Sequence, residues 1–204
     1  MKLLRFGAAF IALACAQGPR DSARAAPDSL VAGRRAPQPI GGRKVVEPCA
    51  SRTITGAGIG ALRIGATVDS VRVSCPVVHD SVEIRAEGMP ARIIDVVLGA
   101  DTIEAEIVGD RVWRIAVDRP GLTTADSLGV GTPLGKLLEH TGARGAVGEG
   151  KLFVLLPERC GLSFRLAARP GDAARFSYDK AGLRALPPTI FVDQLLITGC
   201  SSQG

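Results

Sequence analysis

The chain has 204 residues, a formal net charge of +5 and 46% hydrophobic residues, which suffices for one domain with a substantial core. From Cys49 onward seventeen Lys and Arg balance seventeen Asp and Glu, so the positive excess lies before Cys49 and no nucleic-acid footprint is expected. Beyond Phe6 and Phe10 the aromatics are four Phe, Trp113 and Tyr178, a poor supply of stacking platforms for sugars or single strands.

Residues 1–14 read as an export signal. Lys2 and Arg5 make a positive start, and the apolar run over 6–14 is too short to span a bilayer. Ala12-Leu13-Ala14-Cys15 resembles a bacterial lipobox, which would place a lipid on Cys15; cleavage after Ala16 by ordinary signal peptidase is the alternative. Residues 15–48 carry Pro27, Pro37, Pro39, Pro48, Gly33, Gly41 and Gly42, so a disordered linker or lipoprotein tether is expected there. Setting Cys15 aside leaves Cys49, Cys75, Cys160 and Cys200. An even set in an exported chain reads as two disulfides.

The folded part contains one motif twice. Leu62-Arg-Ile64-Gly65-Ala-Thr-Val68-Asp-Ser-Val71 returns as Leu128-Gly-Val130-Gly131-Thr-Pro-Leu134-Gly-Lys-Leu137, 66 positions later. This divides the chain into repeat one (49–122) and repeat two (123–204), together one compact domain. In repeat one, Thr67 caps a helix that turns Val68, Val71 and Cys75 inward. Strands follow over 92–98, 102–108 and 112–117, the last with Trp113, Ile115 and Val117 on its apolar side, and Gly109-Asp110 is a hairpin turn. In repeat two, Thr132 caps, Pro133 opens the helix, Leu134, Leu137 and Leu138 face inward and Gly142 stops it. Strands are expected over 151–156, 162–166 and 195–200. An insertion over 168–192 reads as a long loop with a helical turn near 172–176. The expected fold class is therefore α+β, a tandem duplication of a helix plus three-stranded antiparallel sheet unit after a signal peptide and a Pro/Gly-rich linker. If 162–166 and 195–200 are antiparallel neighbours, the start of one meets the end of the other. That predicts Cys160–Cys200 and leaves Cys49–Cys75.

The segment Arg63-Ile64-Gly65-Ala66-Thr67-Val68-Asp69-Ser70-Val71 resembles the repeat of BamE/SmpA–OmlA-type proteins and of β-lactamase-inhibitor-protein-like domains. It shares their Gly, capping Thr and Val, lacks their Met, and covers about ten residues in each copy. The resemblance implies an exported αβββ module engaged in protein–protein contact, with no binding residue carried over.

Chemical motifs are sparse. Gly56-Ala-Gly58-Ile-Gly60-Ala61 matches a relaxed dinucleotide fingerprint, but the chain runs on into Leu62-Arg-Ile64-Gly65 rather than a helix, so it reads as a turn. His79, beside a loop, and His140, ending a helix, have no second ligand at metal spacing. No cofactor and no metal are expected. Strand alternation projects Asp95, Glu104, Glu106, Arg114, Ser163 and Arg165 outward as a candidate contact face. The leading expectation is a non-enzymatic cell-envelope binding or scaffolding protein, lipid-anchored or periplasmic, with an envelope protein as partner. The alternatives are an envelope hydrolase with a site between the repeats or under the insertion, and a purely structural envelope lipoprotein.

Overall fold

The computed structural model describes residues 49–85, 88–169 and 180–200. The expected signal peptide, Cys15, the linker and the helical turn near 172–176 lie outside them. Strands β1 (Ile54–Thr55), β2 (Gly58–Ile59) and β3 (Leu62–Arg63) form a small antiparallel sheet. Helix α1 (Val68–Ser74) follows, then β4 (Val77–Ile84), β5 (Pro90–Leu98), β6 (Asp101–Val108) and β7 (Arg111–Val117). After α2 (Leu134–Leu137) come β8 (Arg144–Gly148), β9 (Lys151–Leu155), a 3₁₀ turn at Pro157–Arg159, β10 (Leu162–Leu166), α3 (Lys180–Arg184) and β11 (Val192–Ile197).

The α+β expectation of helix-plus-three-strand units is overturned. Strands β4 to β11 make one eight-stranded antiparallel sheet in the order β4-β5-β6-β7-β11-β10-β9-β8, and the protein is mostly β. Each half is a four-stranded meander, and the halves meet through their last strands, β7 and β11. Two strands of the large sheet, besides the three short strands of the small one, were not visible in the sequence. β4 is an edge strand whose burial follows no clean alternation, and β8, Arg-Gly-Ala-Val-Gly, has the composition of a turn. Helices of seven and four residues cover too little to define an α layer. His79 correspondingly lies within β4, not beside a loop.

The repeated motif acts as a clamp. In the first copy the Gly65 N–H donates to the Val112 carbonyl (2.8 Å) and the Val112 N–H donates to Ala66 (2.9 Å). In the second, the Gly131 N–H donates to Val192 (2.8 Å) and the Val192 N–H donates to Thr132 (2.8 Å). Gly65 and Gly131 have φ of 81° and 91°, a conformation that side chains oppose. Each motif thus holds the first part of the last strand of its own half. Thr67 caps α1 as expected, its Oγ1 accepting from the Ser70 N–H at 3.2 Å. Thr132 does not cap α2; its Oγ1 accepts from the Gly129 N–H at 2.9 Å, bracing the motif loop, and Pro133 takes the cap position without a side-chain bond.

Downstream of each clamp the strand bulges. Ile107 pairs with Val112 and Glu106 with Arg114, leaving Trp113 as the extra residue. Leu166 pairs with Val192 and Arg165 with Gln194, leaving Asp193 extra. A bulge shifts the inward phase by one residue. Val112 and Ile115 are buried, whereas Trp113 is 56% exposed, which corrects the core placement expected for it.

One face of the large sheet carries the core. Ile103, Ala105, Ile115, Phe164, Leu195 and Ile197 pack there against Val68 and Val71 of α1, Leu134 and Leu137 of α2, and Ile59 and Leu62 of the small sheet. Both expected disulfides form. Cys49–Cys75 ties the start of the described chain to the end of α1 (Cα–Cα 5.3 Å), and Cys160–Cys200 joins the approach to β10 to the exit of β11 (5.2 Å). Gly56 meets the Cys160 carbonyl so closely that a side chain has no room. The glycine-rich stretch therefore serves a tight hairpin and leads into β3.

Candidate contact face

Among the described residues, helices and the small sheet occupy the core side, and no element is laid over the other side of the large sheet. Strand registers place the six expected contact residues on this open side, all half-buried. Asp95 lies opposite Glu104, Glu104 opposite Ala116, Ala116 opposite Leu196, Leu196 opposite Ser163, and Ser163 opposite Leu155. A parallel row runs Ile93, Glu106, Arg114 on one half and Gln194, Arg165, Phe153, Ala146 on the other. Between these rows lies a cleft of about 410 Å³ bordered by Met89, Trp113, Phe153 and Leu196 together with Arg85, Glu106, Arg114 and Arg165.

The charges of this face are organised as pairs. Arg85 reaches Glu104 at 2.8 Å and Glu83 at 3.7 Å. Arg114 binds Glu106 at 2.8 Å and Glu149 at 3.4 Å. Arg165 donates to Asp193 at 2.6 Å and Gln194 at 2.9 Å. Asp95 and Glu104 stand directly opposite with like charge, an unfavourable cross-strand pair that Arg85 offsets from the Glu104 side. Pairing leaves the face ordered but not neutralised in pattern: the β5–β6 side is acidic, the β9–β10 side apolar and basic.

Trp113, Phe153 and Leu196 were missed as face residues. A signal for the first was present. Val112-x-x-Ile115-x-Val117 and Val192-x-x-Leu195-x-Ile197 share an apolar spacing that fits a strand only with one extra residue.

A second cluster sits on the core side beside Cys160. His140 Nδ1 is 2.7 Å from Glu158 Oε1, and its Nε2 is 3.8 Å from Asp126 Oδ2. Arg159 donates to Asp126 at 2.9 Å, and Thr124 Oγ1 donates to it at 2.6 Å. His140 is thus tied to the 157–159 turn, not only to a helix end and solvent. A backbone hydrogen bond, aided by His140, holds the Glu158 carboxyl below its ordinary range. At Asp126, burial pushes upward, but hydrogen bonds from Thr124, the backbone and Arg159 outweigh it and the net direction is down. The cluster links the 124–128 loop to the 157–159 turn. Among the described residues no group of His, Cys, Asp and Glu is arranged to hold a metal, and no helix is long and apolar enough to cross a membrane.

No protein-family model and no curated protein matches this sequence. Among solved structures it is similar to the uncharacterized protein yfeY from Escherichia coli, with 13% identity, a TM-score of 0.48, and coverage of 72% of this chain and 99% of that one. The two disulfides are characteristic of an oxidising, non-cytoplasmic compartment.

Proposed function

We propose that this chain is a non-enzymatic cell-envelope binding module, tethered through a lipid on Cys15, that holds a protein partner on the open face of its large sheet. The observation carrying this reading is Trp113. A bulge turns the chain's one tryptophan out of the core onto a face where Phe153 and Leu196 continue an apolar strip between ordered charge pairs. Exposed aromatics within a rim of polar groups are the usual anchors of protein contacts. The pairing of the rim arginines keeps the surface preorganised, which lowers the cost of binding.

Site-specific photo-crosslinking in the native envelope tests the reading. A cross-linking residue at position 113 or 196 gives one discrete adduct, and one at the exposed Val73 of α1 gives none. Absence of adducts at 113 and 196, or equal adducts at all three, sinks the proposal. The tether is tested separately: Cys15→Ser moves the protein from the membrane fraction to the soluble fraction.

A further inference from the structure

Among the described residues the large sheet has two edges with no further strand paired to them, β4 and β8, and they are unlike. β8 has five residues, and α3 packs against it with Leu183 buried. β4 has eight residues, and its Val78, Val82 and Ile84 are 63%, 67% and 71% exposed. A long edge strand with exposed apolar side chains is a template for another strand.

We infer that β4 pairs antiparallel with β4 of a second copy about a twofold axis at Ser81, joining two eight-stranded sheets into one. The charge pattern of the strand selects both the occupant and the register. His79, Ser81 and Glu83 alternate onto one face, opposite Asp95, Ile93 and Ala91 of β5. With the axis at Ser81, His79 of each copy stands opposite Glu83 of the other, so the favourable pair is made twice. Moving the axis to Glu83 or to His79 sets like residues against each other, and moving it to Val82 sets His79 against Arg85. Each alternative loses the His79–Glu83 pair, a hydrogen bond that becomes an ion pair when His79 is protonated, and cross-strand pairs of this kind fix register. The groups already line the strand in the single chain, with His79 Nε2 2.7 Å from Ser81 Oγ and 3.5 Å from Glu83 Oε1.

The other face of β4 agrees. Asp80 would stand opposite Val82 of the second copy, but its carboxylate is turned to Arg92 at 2.9 Å and to Arg72 of its own chain. Its charge is therefore compensated before pairing. The two Val82 side chains become diagonal neighbours, which withdraws apolar surface that nothing in the described chain covers.

Sedimentation velocity of the exported chain over a wide concentration range tests this. A reversible dimer is expected. Val82→Lys, at an exposed position that folding does not need, raises the dimer dissociation constant about tenfold or more. His79→Glu and Glu83→Lys each weaken the dimer, and the two together restore it, because the swap recreates the pairing only in this register. A monomer at every concentration overturns the inference, as it would if another segment or protein covered β4. A dimer indifferent to Val82→Lys and to the charge swap overturns it equally.

Discussion

The two meanders correspond residue by residue through their registers, yet they agree throughout on one face and only in part on the other. On the core side Ile103 corresponds to Leu162, Ile107 to Leu166, Val112 to Val192, Ile115 to Leu195 and Val117 to Ile197, apolar in every case. On the open side Glu104 corresponds to Ser163, Glu106 to Arg165, Arg114 to Gln194, Trp113 to Asp193 and Asp95 to Leu155, and none matches in chemistry. Close packing constrains the first set, whereas a solvated face tolerates any polar pattern. Ile93 with Phe153 and Ala116 with Leu196 stay apolar in both halves, so it is the charged and aromatic rim of the proposed contact that diverges, while the core side is shared because the fold needs it.

The largest test of the correspondence is in the core. Phe164 and Ala105 occupy equivalent positions, so the halves differ in volume there and Phe164 fills the centre. Phe164→Ala costs about 3–5 kcal/mol in urea unfolding, because the cavity cannot collapse fully in a two-layer core. The staples come next. Replacing either cystine by serines costs about 2–4 kcal/mol. Cys160–Cys200 encloses a separation of 40 residues against 26 for Cys49–Cys75, so its removal costs a few tenths of a kcal/mol more, about what chain entropy predicts. Equal or reversed losses would point to native packing rather than chain entropy.

A smaller effect separates the first half from the second by pH. The Arg92 hydrogen bond holds the Asp80 carboxyl below its ordinary range, burial opposes it, and Arg72 adds to the lowering. The corresponding residues in the second half are Gly145 and Leu152, so the first half alone carries this pair. A carboxyl lowered on folding adds stability above its unfolded value, near pH 4, and loses it as pH falls through the folded value. Asp80→Asn thus costs about 1 kcal/mol at neutral pH and almost nothing in strong acid, measured by chemical unfolding at both. Smallest for stability is Trp113→Ala, within about 0.5 kcal/mol; the same variant abolishes the cross-link formed from position 196. A large loss of stability would return Trp113 to the core.

Much of the architecture was legible from alternation. Ile103, Ala105 and Ile107 against Thr102, Glu104 and Glu106 marked β6, and Leu162, Phe164 and Leu166 marked β10 with its bounds. All six contact residues were placed on one side because outward alternation survives wherever the register is regular. β4 and β8 escaped because an edge strand and a glycine-rich strand carry no such alternation. Trp113 escaped because a bulge breaks the period at one residue, and strict alternation then assigns the wrong face.

By itself the sequence determined the strand faces of the regular segments, the capping Thr67, the Gly109-Asp110 turn and both cysteine pairings, since each depends on neighbours or on a single antiparallel contact. Only the tertiary structure decided that four strands form each half, that β7 meets β11, and that Trp113 faces outward. Those outcomes rest on backbone hydrogen bonds between distant segments, Gly65 with Val112 and Gly131 with Val192, and backbone groups are the same for every residue type. Periodicity reports where side chains wish to go, while these long-range bonds set the phase from which the period is counted.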